Sequence, residues 1–286
     1  MDNKFKACLI CGNSKLTQVY PKKYPDLVKC SKCYFVFFKS KPTNYELQKH
    51  YERYSRDEKI SKITIKRYNE LLNQFETYRS NNNILEVGCG NGHFLKEAKI
   101  RNWNTFGTEF TENAVEICRK KGLFIHQGEL DVVNYKTESF DCIIFIEVIE
   151  HINNPIEEVL KFSKLLRTGG VLYITTPNFN SFASRFLKEK WTCVEYPEHL
   201  TYYTPKTLDQ LLTKSGFMKK ELQTTGFNIS SIKSKSQING NMGDINEPYR
   251  ELTEQKILFS ALKKTINFVL NFTKTGDTIK AIYLKN

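Results

Sequence analysis

The chain of 286 residues carries 43 Lys and Arg against 31 Asp and Glu, a formal net charge of +12, with 40% hydrophobic residues. That length suits one large domain or two small ones and is enough to bury a core. The charged N-terminus, MDNKFKACLICGN, lacks a signal-peptide run, and no stretch approaches the ~20 apolar residues of a membrane span, so a cytoplasmic chain without a transmembrane segment is expected.

The charge is unevenly placed: residues 1–80 carry +9, residues 81–227 carry −1 and residues 228–286 carry +4. Basic flanks around a neutral centre suggest an anionic partner such as a nucleotide-sugar, a phosphate-linked lipid or glycan, or RNA; a solvated lysine-rich surface would give the same count.

In chain order, the first motif is Cys8-x2-Cys11 and Cys30-x2-Cys33, with eighteen residues between the pairs. Each C-x-x-C turn can present two thiolates to one tetrahedral ion, and Gly12 permits the tight knuckle after the first pair. The expectation is a structural zinc folding a ribbon over residues 1–45, with redox chemistry as the rival. Cys89, Cys118, Cys142 and Cys193 are scattered through apolar or helical contexts and read as buried free thiols. In the segment Tyr45 to Tyr78, residues Ile60, Ile63, Tyr68, Leu71, Leu72 and Phe75 fall near helical spacing. Residues 46–82 are therefore read as an amphipathic helix packing on the core, followed by the linker Ser80-Asn81-Asn82-Asn83.

Asn83 to Gly92, NILEVGCGNG, reads as strand, glycine turn and helix start. Gly88, Gly90 and Gly92 allow positive φ and close approach of a ligand, and the helix opening at His93 offers unpaired N–H groups. A tight turn alone would also account for three glycines. The spacing is G-x-G-x-G with Glu86 two residues ahead, which suits a ligand bearing an ammonium group better than one bearing a pyrophosphate. A second strand, Thr105 to Thr108, ends at Glu109, about the ~20-residue interval at which α/β sheets place a carboxylate on a ribose diol. A third, Asp141 to Ile146, ends at Glu147.

Around these strands the pattern alternates: helix His93 to about Arg101, helix Glu112 to Lys121, strand Leu123 to Gln127, helix Pro155 to Arg167 closed by Gly169-Gly170, and strand Val171 to Thr175. This is the order of a doubly wound α/β sheet with its ligands at the carboxyl edge. Thr204-Pro205 opens a helix to Ser215 with Pro at N1, and Lys219 to Thr225 and Asp277 to Leu284 are the last strands, expected to pair antiparallel. Between them, residues 228–272 form an insertion: a polar stretch, Asn228 to Glu247, and an amphipathic helix from about Glu254 to Phe272. It is read as a substrate lid or as a helix capping the core.

Together, ILEVGCGNGHFL, GTEF, SFDCIIFIEVIEHINNP, LLRTGGVLYITTPN and EHLTYYTPKTLDQLL resemble class I S-adenosylmethionine-dependent methyltransferases over roughly Asn83 to Gly226. The resemblance implies a Rossmann-like, doubly wound, seven-stranded α/β sheet within residues 83–286, with S-adenosylmethionine as cofactor. It further implies that Glu86, Gly88, Gly90 and Gly92 cradle the methionine portion and that Glu109 takes the ribose hydroxyls. Glu129 or its neighbour Leu130 would flank the adenine, with Glu147 near the donor. After the fourth strand, EVIEH is similar to small-molecule O-methyltransferases such as those of ubiquinone biosynthesis. No Asn-Pro-Pro-Tyr-type turn or Pro-Cys nucleophile stands there, which argues against exocyclic amines and pyrimidine C5 as acceptors. A ribbon before such a core, with TPN and EHLTYYTPKTL after it, is similar to methyltransferases of surface-polysaccharide and nucleotide-sugar pathways. Sugar C-methyltransferases share the ribbon but usually carry a further large C-terminal domain, so C-methylation is not expected.

The expected activity is O-methylation of a small or glycan-linked anionic acceptor. The alternatives are an RNA methyltransferase whose basic ribbon grips phosphate, and a non-catalytic ligand-binding scaffold. For the acceptor side, the candidates are Glu150, His151 and His199. Glu147-x-x-Glu150-His151 plus a distant His resembles the set with which small-RNA 2′-O-methyltransferases bind a divalent ion, and two carboxylates and two imidazoles suit Mg²⁺, Mn²⁺ or Fe²⁺. A general base at His151 or His199, or purely structural roles, are the other readings.

Overall fold

The computed structural model describes residues 4–43, 46, 60–226 and 257–286. Its first element is a small antiparallel sheet, β1 (Leu16–Tyr20), β2 (Tyr24–Cys30) and β3 (Val36–Phe38), with one C-x-x-C turn ahead of β1 and the other between β2 and β3. Gly12 and Tyr34 occupy equivalent places after the two turns, both left-handed (φ 69° and 67°), and their amides donate to the Cys8 and Cys30 carbonyls at 3.0 Å. Gly at the first place removes the Cβ penalty, whereas the second knuckle tolerates it.

Helix α1 (Lys62–Phe75) is capped by Ser61, whose side chain accepts from the Thr64 amide, and it buries Leu72 and Phe75. The rest of the expected Tyr45 to Tyr78 segment before residue 60 lies outside the described residues, apart from residue 46. The linker that follows is tied down tightly. The Asp141 carboxylate accepts from the amides of Ser80, Asn81 and Asn82 at 2.9, 3.0 and 2.7 Å and from Arg167 Nε at 2.6 Å.

The core strands are β4 (Asn83–Val87), β5 (Asn104–Glu109), β6 (Phe124–Gln127), β7 (Phe140–Ile146) and β8 (Leu166–Pro177), all parallel. Between them run α2 (His93–Ile100), α3 (Glu112–Lys120) and α4 (Pro155–Leu165). After β8 come α5 (Phe182–Leu187), the two-residue β9 (Thr201–Tyr202), α6 (Pro205–Lys214), β10 (Phe217–Thr225), α7 (Ile257–Phe272) and β11 (Thr278–Lys285). The large sheet has seven strands in the order β10-β11-β8-β7-β4-β5-β6, with β11 antiparallel to both β10 and β8. This is the Rossmann-like sheet that the motifs implied.

Period-2 alternation sorts the sheet's side chains between two cores. Ile84, Cys142, Ile144, Val171 and Tyr173 pack with α1, α2 and α3, whereas Leu85, Val87, Ile143, Phe145, Leu172 and Ile174 pack with α4 and α6. The ribbon joins the second core through Phe35 and Phe37, and Phe35 meets Tyr203 at 5.2 Å between ring centroids.

One element differs from its sequence reading. The helix expected to run to Arg167 stops at Leu165, and Gly169 and Gly170 lie inside the twelve-residue strand β8. Leu166 is buried opposite Phe140, Arg167 turns to Asp141, and the glycines supply an irregularity before Val171 pairs with Cys142. A partly buried ion pair and a strand partner outweigh the helical propensity of two residues. The polar stretch Asn228 to Glu247 and the first residues of the expected Glu254 to Phe272 helix lie outside the described residues. Among the described residues, no helix is long and apolar enough to cross a membrane.

Candidate active site

Strand β4 delivers Glu86 and the glycine turn to the carboxyl edge of the sheet. Gly88, Gly90 and Gly92 all have positive φ (70°, 51° and 70°), but they meet different surroundings. A Cβ on Gly88 would lie 2.7 Å from Val148, and one on Gly92 would lie 2.5 Å from Leu123 and 2.7 Å from Cys118 Sγ. A Cβ on Gly90 would meet no atom within 4 Å. Gly88 and Gly92 are therefore packing glycines, and Gly90 is the one that faces open space.

Glu86 is 6% exposed, and its Oε2 has no hydrogen-bond partner among the described residues. Burial, reinforced by the neighbouring Cys118 and Glu109, raises its carboxyl well above the ordinary range, and the Leu95 amide only partly offsets this. An orphaned buried carboxylate beside a helix N-terminus is a place that an ammonium group would satisfy. Glu109 closes the other side: its Oε2 accepts from the Gly90 amide and its Oε1 from the Thr111 amide, both at 2.9 Å. After β6, the Gly128 amide donates to the Glu109 carbonyl at 2.8 Å. The two candidates that follow diverge: Leu130 is buried in the core, whereas Glu129 is exposed and close enough to the Glu158–Lys161 pair to influence both.

The second group gathers at the ends of β7 and β8. Val148, whose side chain packs against Gly88, leads into a 3₁₀ turn, Ile149–His151, that turns Glu150 inward. Glu150 is 3% exposed and accepts from Thr176 Oγ1 at 2.9 Å. Burial, with the Glu147 charge nearby, raises its carboxyl well above the ordinary range. His151 and His199 face each other with ring centroids 4.9 Å apart. The His151 Nδ1 lies 2.7 Å from the Glu198 carbonyl and the His199 Nδ1 lies 2.7 Å from the Cys193 carbonyl. A carbonyl oxygen only accepts, so each ring donates from Nδ1, and a ring that is neutral then carries its lone pair on Nε2. Burial and the charge of His199 push His151 down to about 4, so it is a neutral imidazole.

One ligand atom from each of Glu150, His151 and His199 lies within 4.8 Å of the other two. The carboxylate of Glu147, the fourth member of the expected set, is not among these converging ligand atoms. It accepts from Thr175 Oγ1 at 2.7 Å, and the Glu147 backbone is left-handed (φ 52°), an unfavourable conformation for a side chain with a Cβ.

Comparison with known proteins identifies the domain. Residues 55–222 match the family described as a methyltransferase domain. The chain belongs to this family. The methyltransferase is 22% identical over 160 residues to an uncharacterized protein of Methanocaldococcus jannaschii, covering 56% of this chain and 76% of that one. It is 24% identical over 196 residues to the ubiquinone biosynthesis O-methyltransferase of Rickettsia prowazekii, covering 64% and 75%. Its fold is similar to that of a SAM-dependent methyltransferase from Archaeoglobus fulgidus, with a TM-score of 0.54 and 18% identity over 85% of this chain and 100% of that one. It is thus a class I S-adenosylmethionine-dependent methyltransferase, and the orphaned Glu86 oxygen and the space over Gly90 are compatible with a sulfonium amino acid at the β4 turn.

The methyltransferase also holds a four-cysteine cluster. Cys8 and Cys33 sulfurs are 3.4 Å apart, Cys11 and Cys30 are 3.6 Å apart, and all four lie within 4.8 Å of one another. The spacing is far longer than a disulfide and near the ~3.8 Å edge of a tetrahedron with ~2.3 Å metal–sulfur bonds. Burial opposes ionisation of Cys30, but the Cys33 amide and the Asn13 side chain outweigh it and lower the thiol to about 6. The four sulfurs could hold a tetrahedral ion.

Three contributors carried no functional signal in the sequence. Tyr68 of α1 was legible only as an apolar-face residue. In the structure it packs edge-on to Phe94 at 5.4 Å, and burial together with the Glu86 charge raises its phenol. Thr176 fixes Glu150, and Cys118 Sγ lies 3.2 Å from the Gly90 carbonyl beneath the turn. The TTPN motif could have pointed to Thr176; nothing local marked the other two.

Proposed function

We propose that the enzyme transfers the methyl group of S-adenosylmethionine to a hydroxyl oxygen of a small or glycan-linked anionic acceptor. The observation that carries this reading is the facing pair of imidazoles beyond the ends of β7 and β8, each oriented through Nδ1 by a backbone carbonyl. A sulfonium donor needs little activation, so the protein's work is to align the acceptor oxygen with the methyl group and take up its proton. Glu86 and Glu109 would bind the donor's amino and ribose groups, with Gly90 leaving room for it. His151 or His199 would receive the hydroxyl proton at Nε2, and buried Glu150 would hold the turn that carries His151. The name of the Rickettsia prowazekii relative supports oxygen as the acceptor atom. The net charge of +12 supports an anionic acceptor. The ribbon cysteines are proposed to hold one structural zinc.

A second reading is favoured by the convergence of Glu150, His151 and His199 within 4.8 Å. Imidazoles whose Nδ1–H is held by a carbonyl are oriented as metal ligands are, so a divalent cation there could orient the acceptor hydroxyl instead. The deciding experiment incubates the enzyme with labelled S-adenosylmethionine and the metabolite, glycan and RNA fractions of a lysate, with and without EDTA at a concentration that spares the ribbon metal. Label in a small-molecule or glycan fraction, insensitive to EDTA, is the expected result. Label lost with EDTA and restored by Mg²⁺ or Mn²⁺ selects the cation, and label in RNA alone defeats the acceptor assignment.

A further inference from the structure

The carbonyls that orient both imidazoles belong to one stretch of backbone, residues 193–202, and much of what holds that stretch comes from the ribbon. The Tyr24 hydroxyl donates to the Val194 carbonyl at 2.9 Å, and the Phe38 amide donates to the Leu200 carbonyl at 2.8 Å. Val36 and Phe37 pair with Tyr202 and Thr201, so β9 is the fourth strand of the ribbon sheet. The Phe38 ring meets Tyr196 at 5.1 Å, and Leu27, Val36 and Phe38 share one apolar cluster with Trp191, Val194 and Tyr202. Within the stretch, the His199 amide donates to the Glu195 carbonyl at 2.7 Å, and the Tyr202 hydroxyl donates to the His199 carbonyl at 3.0 Å. From the core it receives the Glu150 carbonyl, which accepts from the Leu200 amide at 2.8 Å, and the Ile149 carbonyl, which accepts from Thr201 Oγ1 at 3.0 Å.

We infer that the cysteine ribbon is a positioning module for the methyl-acceptor site: through Tyr24, Phe38 and residues 193–202 it fixes the tautomer and orientation of His151 and His199. The inference rests on the acceptor-side reading above. Neither Tyr24 nor Phe38 touches the reacting atoms; both act through the carbonyls that the imidazole Nδ1–H groups require. Those carbonyls lie in turns between irregular stretches, with few backbone hydrogen bonds of their own, so an outer wall must hold them still. A catalytic group displaced by an ångström can cost on the order of 10²-fold in rate, which gives the wall kinetic weight.

The test uses the full chain with its metal content measured, labelled with ¹⁵N-histidine, and reads the ring nitrogens of His151 and His199 by NMR, assigned with His151→Gln and His199→Gln. Donor affinity is measured by calorimetry with S-adenosylmethionine, and label transfer into the responsive lysate fraction gives the rate. In the parent protein both rings should show the Nδ1–H tautomer. Tyr24→Phe, which removes one hydroxyl and leaves every cysteine in place, should mix the tautomers and slow transfer roughly fivefold, the worth of about one hydrogen bond, with donor affinity changed by less than about twofold. Cys30→Ser should mix them fully and slow transfer on the order of 10²-fold, again without weakening donor binding. Unchanged tautomers in both variants overturn the inference. So does a loss of donor affinity parallel to the loss of rate, because general damage then explains both. A parent protein that fails to bind S-adenosylmethionine at all would instead strike the proposed function, while the ring-nitrogen signals would still report whether the ribbon orients the histidines.

Discussion

The proposed donor and acceptor edges of this sheet meet where Val148 packs against Gly88, and they are built in opposite ways. At the donor edge, Glu86, Gly88, Gly90 and Gly92 follow one another on a single strand and turn, and only Glu109 comes from the neighbouring strand. At the acceptor edge, Glu150 and His151 come from β7's end, Thr176 from β8, and His199 from a stretch fastened to the ribbon. A site made of contiguous backbone inherits its geometry from local φ and ψ, whereas one assembled from distant segments depends on every contact that holds those segments together.

Substitutions should separate the two edges, and the largest effect belongs to the glycines. Gly90→Val places a side chain in the open space over the turn and should weaken S-adenosylmethionine binding by more than about 100-fold in calorimetry, at a stability cost of about 1–2 kcal/mol for a β-branched residue at positive φ. Gly92→Ala should do the reverse of this balance, since its Cβ would overlap Leu123 and Cys118: a lower melting temperature, with binding retained by the folded fraction. If Gly90→Val binds the donor normally, the donor edge has been misassigned.

Next come the imidazoles. His151→Ala and His199→Ala should each leave donor affinity unchanged, and at least one should slow methyl transfer about 10²- to 10⁴-fold, the range for a lost general base. Two fully active variants would remove the acceptor site from this edge.

A smaller but cleaner effect tests the opposite end of the sheet, where neither ligand is expected. Burial opposes ionisation of Asp141, yet Arg167 and the amides of Asn81, Ser80 and Asn82 outweigh it and hold its carboxyl below the ordinary value. The folded-state pKa is thus depressed, so this carboxylate stabilises the fold fully above the unfolded value of ~4 and loses that contribution as pH falls through the folded value. Asp141→Asn should cost about 3 kcal/mol at neutral pH in denaturant unfolding, less toward pH 3, because it breaks a partly buried ion pair. Donor affinity of the folded protein should not change. An unfolding curve identical to that of the parent at pH 7 would contradict the role given to Asp141.

The smallest expected effect on the donor edge is that of the ribbon metal. Elemental analysis should give about one zinc per chain, and Cys30→Ser should lose it. Calorimetry on that variant should still find the donor bound. Metal-free protein of full stability would remove the zinc assignment.

What the sequence by itself determined is what repeats locally. The alternation in β4, the apolar run of β7, the glycine turn with Glu86 ahead of it, the acid at the end of β5 and the two C-x-x-C pairs each carry their meaning within about ten residues, because backbone conformation and side-chain period are local properties. The end of α4 shows the limit: Gly169 and Gly170 resemble a helix stop, but the stop falls at Leu165 because Asp141, far away in sequence, claims Arg167. The tertiary structure alone decided that Gly90, and not Gly88 or Gly92, faces open space, that the Glu147 carboxylate is not among the ligand atoms converging with His151 and His199, and that β9 joins the ribbon sheet. These outcomes are set by which surfaces exclude water from one another and which carbonyls are left for which donors. No short window of sequence contains that information, since partners are separated by 28 residues, as Glu147 and Thr175 are, and by as many as 170, as Tyr24 and Val194 are.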